Sequence, residues 1–350
     1  MHATLLIVLL LTIMCASEAA PLRLWYDRPA ENWNEALPIG NGRLGAMVFG
    51  GVEEERLQLN EDTLWSGFPH DYANPEAARW VPEVQKALFE GRYSDANALT
   101  DEHLMGDLKF QQAYQPLGDL LLSLPKGDVN DYERELDLSR GIANVRYQQD
   151  GVAFTREAFS SHPDQVLVVR LTDVQAGYLH FDARLACPHP HQVRAEGNDQ
   201  LVLTGQWLGT SQGGELTAPV EGGGLRFELR LLAIPEEGTV TADEEGLHIE
   251  RAVTVTLLIS AATSFVRYDD ISGDASVKCK AYLEAARQYS YYELRDRHIA
   301  DYKSLFDRMS LSLGPGADSV PTDQRLRRVA EGQSDPALAA LYFQYGRYLM

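Results

Sequence analysis

Residues 33–67 read WNEALPIGNGRLGAMVFGGVEEERLQLNEDTLWSG, a glycine-dense segment bracketed by Trp33 and Trp65. It opens on a loop around Pro38-Ile39-Gly40-Asn41-Gly42. Two strands are then predicted, Leu44 to Phe49 and Glu55 to Asn60, joined by a turn at Gly50-Gly51, because Leu57 and Leu59 alternate with polar neighbours. The segment ends on Glu61-Asp62-Thr63-Leu64-Trp65-Ser66-Gly67, a loop that sets two carboxylates beside a large flat aromatic. Carboxylates hold hydroxyl groups, and an indole face stacks on the apolar face of a pyranose, so this loop carries the ingredients of a sugar site.

Downstream of this hairpin the pattern is helical for a short distance. Asn74-Pro75-Glu76 starts a turn, Pro82 is expected in a first helical turn, and Val84, Ala87 and Leu88 recur at helical spacing. A second helix is expected from Asp95 to Leu104, ending at Gly106. From Gln115 onward the period becomes that of strands. Short runs such as Val145 to Gln148, Val152 to Phe159, Gln165 to Leu171, Tyr178 to Leu185, Leu201 to Gly205, Leu225 to Leu232 and Val253 to Ala261 recur at regular intervals. Asp150-Gly151 marks a tight hairpin. Many strands with short turns and no intervening helices predict a large antiparallel β-sandwich over 21–271, with a helical insertion at about 74–106.

Around Ser272 the period switches to that of helices. Val277, Tyr282, Leu283 and Ala286 share one face, and Leu294, His298, Tyr302, Leu305 and Phe306 another. Gly314-Pro315-Gly316 breaks the chain, and Thr322 or Asp323 is expected to cap the next helix. This gives a helical linker over 272–333. A last helix starts with Asp335 as N-cap and Pro336 in its first turn, with Leu338, Leu341, Tyr342, Tyr345 and Leu349 on an apolar face. Nothing in the sequence closes that helix before Met350, so the chain reads as the front part of a longer protein.

Composition narrows the function classes. The apolar run Leu5 to Met14, followed by Ala16, Ser17, Ala19 and Ala20, reads as a secretory signal peptide over 1–20, although no Lys or Arg precedes it. A secreted or periplasmic location follows, with no membrane association once the leader is removed. The remaining cysteines, Cys187 and Cys279, are too few for a disulfide framework and form either one bond or two buried thiols. A net charge of −20 repels phosphate backbones and argues against nucleic acid.

Three local patterns invite sharper readings. Gly40-Asn41-Gly42-Arg43-Leu44-Gly45 matches G-x-G-x-x-G, but a dinucleotide site needs a strand before it and a helix after it, and a strand follows here. Cys187-Pro188-His189-Pro190-His191 has metal-binding residue types, yet no further Cys or His cluster completes a tetrahedral set, and a turn at a strand end is expected instead. Glu61 and Asp62 are a tempting acid pair, but neighbours on one loop diverge, and capping of the following turn is the simpler role. No metal or cofactor is implied.

The 33–67 segment closely resembles the N-terminal region of glycoside hydrolase family 95, the α-L-fucosidases. The likeness continues through Ala113-Tyr114-Gln115-Pro116-Leu117-Gly118-Asp119-Leu120, Arg134-Glu135-Leu136-Asp137-Leu138, Thr155-Arg156-Glu157, Ser161-His162-Pro163-Asp164-Gln165 and Leu341-Tyr342-Phe343-Gln344-Tyr345-Gly346-Arg347-Tyr348. The resemblance implies a mainly β fold with α, in which the large antiparallel sandwich is followed by a helical linker and, over 334–350, the first helix of an (α/α)6 catalytic barrel that packs on the sandwich. It implies hydrolysis of terminal, α1,2-linked fucose from an oligosaccharide or glycan with inversion, by a glutamic acid and an aspartate-assisted asparagine pair located beyond Met350. No catalytic residue is therefore assigned in this chain. Asn60, Glu61, Asp62, Trp65, Tyr114 and Gln115 are expected at the rim of the pocket or at the domain interface. The alternative is a non-catalytic β-sandwich module that binds carbohydrate or mediates assembly.

Overall fold

Strands that bury one face alternate apolar and polar residues, whereas strands covered on both faces read as continuous apolar runs. Both kinds occur here, and they sort into two sheets. The computed structural model describes residues 22–69, 71–106, 112–173, 175, 179–212, 215–219 and 223–350; the leader expected over 1–20 lies outside them. The nine-stranded sheet runs, neighbour to neighbour, β1 (Arg23–Tyr26), β6 (Val129–Asp137), β7 (Ile142–Gln149), β8 (Val152–Ser161), β9 (Val166–Asp173), β18 (Thr254–Thr263), β15 (Arg226–Glu236), β12 (Gln200–Gln206) and β11 (His191–Ala195). The seven-stranded sheet runs β16 (Thr239–Ala242), β17 (Leu247–Ala252), β10 (Leu179–Ala186), β5 (Gly118–Ser123), β4 (Glu54–Glu61), β3 (Leu44–Val48) and β2 (Leu37–Gly40). A small ribbon pairs β13 (Gly209–Gln212) with β14 (Glu215–Pro219). All of these pairings are antiparallel, and the two large sheets face each other as the expected sandwich.

The helices are α1 (Ala77–Phe89), α2 (Tyr93–His103), α3 (Ala275–Ala286), α4 (Tyr291–Phe306), α5 (Thr322–Ala330) and α6 (Pro336–Tyr348). Helices α3 and α4 cover the outer face of the nine-stranded sheet. In β9, Leu167, Val169 and Leu171 face the other sheet, while Val166 and Val168 face outward with Ile142, Phe159 and Leu258 against Leu283, Ala286 and Leu294. That second interface explains why β9 opens on the unbroken apolar run Val166–Val169 and β18 carries Leu257, Leu258 and Ile259 in succession. Helix α3 is capped by the Asp274 carboxylate, which accepts from Val277 N. A capping box of Ser290 and Glu293 closes the start of α4.

Several expectations are corrected in detail. Leu37–Gly40 is a strand rather than a loop, because Leu37 and Ile39 insert into the core and Pro38 is tolerated on an edge strand, where one N–H is not needed. Pro82 lies inside α1 rather than in its first turn. Asn74 Oδ1 accepts from Glu76 N at 3.0 Å and its carbonyl from Ala77 N at 3.1 Å, so the Asn74 turn winds straight into helix from Ala77. Neither Thr322 nor Asp323 caps α5; Pro321 holds the cap position, and Thr322 Oγ1 accepts from Trp25 N at 3.0 Å, tying the helix to β1. In α6 the Asp335 cap forms as expected, but Tyr342 and Leu349 are exposed, and Ala337, Leu338, Ala340, Leu341 and Gln344 form the buried face. Cys187 and Cys279 are free thiols, and burial raises them to about 11 and about 12 respectively.

The inward face of β4 reads Glu55, Leu57, Leu59, Glu61, with a carboxylate at each end of the core. Glu55 meets Arg156 of β8, in the opposite sheet, at 2.8 Å, and both are almost fully buried. Glu55 Oε1 also accepts from Gly50 N at 2.8 Å and Arg56 N at 3.0 Å, and Arg156 donates to the Gly51 carbonyl. Removing one partner of such a pair leaves an uncompensated charge in the core. Arg156→Met is therefore expected to cost about 3–5 kcal/mol in urea unfolding. The double change with Glu55→Leu should cost clearly less than Arg156→Met alone, and an additive or larger loss would contradict the pairing.

Two histidines differ sharply in surroundings. His298 of α4 is buried between Phe159 and Tyr302, and its Nε2 donates to the carbonyls of Arg140 and Gly141 at 3.0 and 3.1 Å. Burial holds its pKa below the ordinary 6.5. His248 is instead half-exposed, with Nδ1 on Asp182 at 2.7 Å and Nε2 on Asp243 at 3.1 Å, and these bonds raise it above 6.5. The linkage has opposite signs. His298 contributes stability above 6.5 that is lost as pH falls through its lowered pKa, because only the unfolded form takes up the proton. His248 contributes stability below 6.5 that is lost as pH rises through its raised pKa. In an NMR titration the two midpoints should fall on opposite sides of 6.5, and coincident midpoints would refute both environments.

Candidate functional site

The end of the sandwich where β4 stops and β5 begins gathers the residues that the sequence singles out. The turn between β2 and β3 is built by Asn41, whose Oδ1 accepts from Arg43 N and Leu44 N at 3.0 and 2.8 Å. Gly42 sits at φ +88°, a conformation that disfavours any side chain. The G-x-G-x-x-G pattern is thus a β-hairpin with no helix after it, and the glycines serve the turn.

Arg43 leaves this turn and becomes the hub of the site. Its Nε donates to Gln165 Oε1 at 2.7 Å, Nη2 to Gln165 O at 3.1 Å, and Nη1 to Ala261 O at 2.6 Å and Glu61 Oε1 at 3.3 Å. The guanidinium also lies 4.8 Å from the ring centroid of Tyr282 on α3. One side chain thereby joins both sheets and the covering helix. Glu61 answers it from β4, and its other oxygen accepts from Thr63 N at 2.9 Å and Thr63 Oγ1 at 2.6 Å. The Thr63 proton is committed to the carboxylate, so Thr263 at the end of β18 donates to Thr63 Oγ1 across 2.5 Å. Burial pushes the Glu61 carboxyl above its usual range, against the Thr63 hydrogen bonds.

The loop beyond Glu61 carries the aromatic platform. Trp65 pairs with Tyr114 through an isolated antiparallel bridge, and their rings meet edge to face at 5.5 Å. Trp65 Nε1 donates to Asp62 O at 3.0 Å, and Tyr114 OH donates to Glu61 O at 3.1 Å. Burial and the nearby Glu61 and Asp62 charges push the Tyr114 hydroxyl up to about 12, so it stays a donor. Both rings keep more than a third of their surface exposed, at 37% and 42%. Asp62 is exposed beside them.

The six expected residues therefore do not form one cluster. Glu61, Asp62, Trp65 and Tyr114 come together on the platform. Asn60 points out of the opposite face of β4, across from Gly45, because neighbours on a strand alternate sides. Gln115 is buried below the loop, with its amide turned back to Ala113 O at 3.1 Å. It lines a cavity of about 350 Å3 with His189 and Trp207. His189 Nε2 donates to Pro116 O at 2.8 Å, burial lowers its pKa, and Cys187-Pro188-His189-Pro190-His191 is the turn between β10 and β11. Among the described residues no group of three or more His, Cys, Asp or Glu is placed to hold a metal ion. Sequence reading missed Arg43, Thr63 and Thr263, whose roles depend on partners more than a hundred residues away in the chain.

These contacts rank the substitutions. Arg43→Met is expected to destabilise by about 2–4 kcal/mol, since it strips partners from several buried acceptors at once. Glu61→Gln should cost about 1–3 kcal/mol, because both carboxylate oxygens accept hydrogen bonds and one amide NH2 would then face a donor, whereas Trp65→Ala should cost about 1 kcal/mol or less. Urea unfolding of the three variants checks the order, and a Trp65→Ala loss larger than that of Arg43→Met would contradict it.

Comparison with known proteins follows the same division of the chain. Residues 24–268 match the family described as glycosyl hydrolase family 65, N-terminal domain, and residues 290–350 match the glycosyl hydrolase family 95 catalytic domain. A relative from Arabidopsis thaliana, named "Alpha-L-fucosidase 2", is 34% identical over 94% of this chain, which spans 42% of that protein. "Probable alpha-fucosidase A" of Aspergillus niger is 28% identical over 95% of the chain and 43% of its own length. The chain thus spans less than half of the curated relatives it matches. The chain belongs to the family described as glycosyl hydrolase family 65, N-terminal domain, over residues 24–268, and its residues 290–350 are similar to the glycosyl hydrolase family 95 catalytic domain.

Proposed function

We propose that the protein acts as an inverting α-L-fucosidase, with a terminal α1,2-linked fucose of a glycan as substrate and water as the second reactant. The observation that carries this reading is the 34% identity, over 94% of the chain, to a protein named as an α-L-fucosidase. In this reading the residues of this chain build the support, and the acid and water-activating groups come from the part of the family 95 catalytic domain that residues 290–350 do not match. Glu61 fits a supporting role, because it is almost fully buried and both its oxygens are taken by Arg43 and Thr63. Asp62, Trp65 and Tyr114 form the part of the platform that can meet the pocket rim, with an indole edge and a hydroxyl of the kind that sugars contact. The exposed Tyr342, Phe343 and Leu349 on α6 supply an apolar face on which further catalytic-domain helices can pack. Secretion or export to a periplasm rests on the apolar leader in the sequence. Among the described residues no helix is long and apolar enough to cross a membrane.

The test uses 2′-fucosyllactose and follows products by proton NMR. The 350-residue chain alone is expected to leave the sugar intact, whereas the chain joined to a complete family 95 catalytic domain should release fucose first as the β-anomer. Release by the short chain would contradict the placement of the catalytic groups. First release of the α-anomer would contradict inversion, and a complete enzyme inert on fucosides would contradict the substrate. In that complete enzyme, Trp65→Ala should raise KM more than it lowers kcat.

A further inference from the structure

The two sheets also part at the end of the sandwich away from Arg43 and Trp65. There the β7–β8 turn, the segment after β5 and the start of β10 surround a cleft of about 360 Å3. Its floor is apolar. Tyr147 and Phe154 face each other in the β7–β8 register with rings stacked at 5.5 Å and 20°, and Val152 and Leu179 flank them. Its rim is polar, formed by the exposed Lys126, Asp150 and His180.

The rim is pre-formed rather than adaptable. Asp150 and Gly151 both take left-handed backbone, at φ +53° and +82°, which is the two-residue turn that suits a twisted hairpin. Gln149 Nε2 donates to Pro125 O at 2.8 Å, and Asp128 N donates to Asp150 Oδ1 at 3.2 Å, so the segment after β5 is tied to the turn. Fixed walls matter because a ligand that binds a rigid cleft avoids the ordering cost of a loop.

The lining selects the class of ligand. One ammonium, one carboxylate and one imidazole surround an aromatic floor, so neither sign dominates and no cluster favours phosphate or a cation. A neutral pyranose has the complementary form, with one apolar face and a ring of hydroxyls, and the volume falls in the range of small-molecule sites. We propose that this cleft is a second, non-catalytic saccharide site that takes one neutral sugar unit of a glycan, its apolar face on Phe154 and its hydroxyls on Asp150, Lys126 and His180. Only the choice of a glycan rests on the fucosidase reading; the cleft lies at the other end of the sandwich and shares no residue with the platform. Its use would be to hold a glycan chain while another unit of it is processed.

Methyl NMR on the full 350-residue chain, labelled at Leu and Val, tests this with L-fucose, lactose and 2′-fucosyllactose as probes. Saturable shifts are expected at Val152 and Leu179 with at least one sugar. Asp150→Asn keeps the left-handed turn, since Asn tolerates it, and removes the charge. Lys126→Gln changes a largely exposed side chain whose ammonium has one loose ion pair, 3.6 Å from Glu53. Each should weaken binding about tenfold, the effect of losing one charged hydrogen bond, with Tm unchanged. The proposal is overturned if neither methyl responds to any of the three sugars, if shifts arise only near Trp65, or if both variants bind as the parent does. Loss of this binding with fucose release intact in the complete enzyme removes the cleft and leaves the catalytic reading standing. Intact binding beside an inert complete enzyme does the reverse.

Discussion

The nine-stranded sheet has to be covered on both faces, and the rest of the molecule follows from that requirement. Ile142, Phe159, Val166, Val168 and Leu258 point away from the sandwich core. At roughly 1.5–3 kcal/mol per buried side chain, these five alone account for about 10 kcal/mol, which is comparable to the whole stability of a typical domain. Leaving them in water is not a workable state. Helices α3 and α4 are therefore part of the sandwich's own fold, even though the family comparison assigns residues from 290 onward to the catalytic domain. The stretch that matches the family 95 model therefore begins within a packed interface, with Tyr291 and Leu294 against the sheet, rather than after a tether.

Within the sandwich, β4 carries a second constraint. Its inward face begins and ends on a carboxylate, and each is met by an arginine from elsewhere, Glu55 by Arg156 and Glu61 by Arg43. The two ends differ in what they position. At the Arg156 end, the pair lies beneath Tyr147 and helps set the floor of the far cleft, with the guanidinium 5.7 Å from the ring centroid. At the Arg43 end, the same chemistry reaches α3 through Tyr282 and fixes the loop that presents Trp65 and Tyr114. Buried charges of this kind add little net stability but penalise other arrangements of their partners. In this molecule they hold together the turns that carry the exposed aromatic residues.

Much of this was legible in the sequence, and the failures have physical causes. The sandwich, the helical insertion, the Asp150-Gly151 hairpin and the Asp335 cap each rest on local signals of period, turn chemistry or capping, and these survive folding. Pro38 and Pro82 misled because the effect of proline depends on context: an edge strand tolerates it, and an Asx turn at Asn74 moved the helix start upstream. Tyr342 and Leu349 share the apolar face that the period gives, yet they are exposed while Gln344, bonded to Arg347, is buried, because hydrophobicity does not say which side a partner occupies. Arg43 stood in plain view inside a glycine motif. Nothing local says that an arginine after a turn will reach Ala261, Gln165 and Tyr282, because those contacts exist only once both sheets and α3 are assembled.

The most direct measurement compares the 22–350 chain with a version ending at residue 272, by hydrogen exchange of β9 and β18 and by binding of a hydrophobic dye. If the sheet depends on its helical cover, the shorter chain should lose protection in both strands and bind dye strongly or aggregate. A shorter chain that stays monomeric, with β9 and β18 as protected as before, would show that the sandwich stands alone and that α3 and α4 are only a linker.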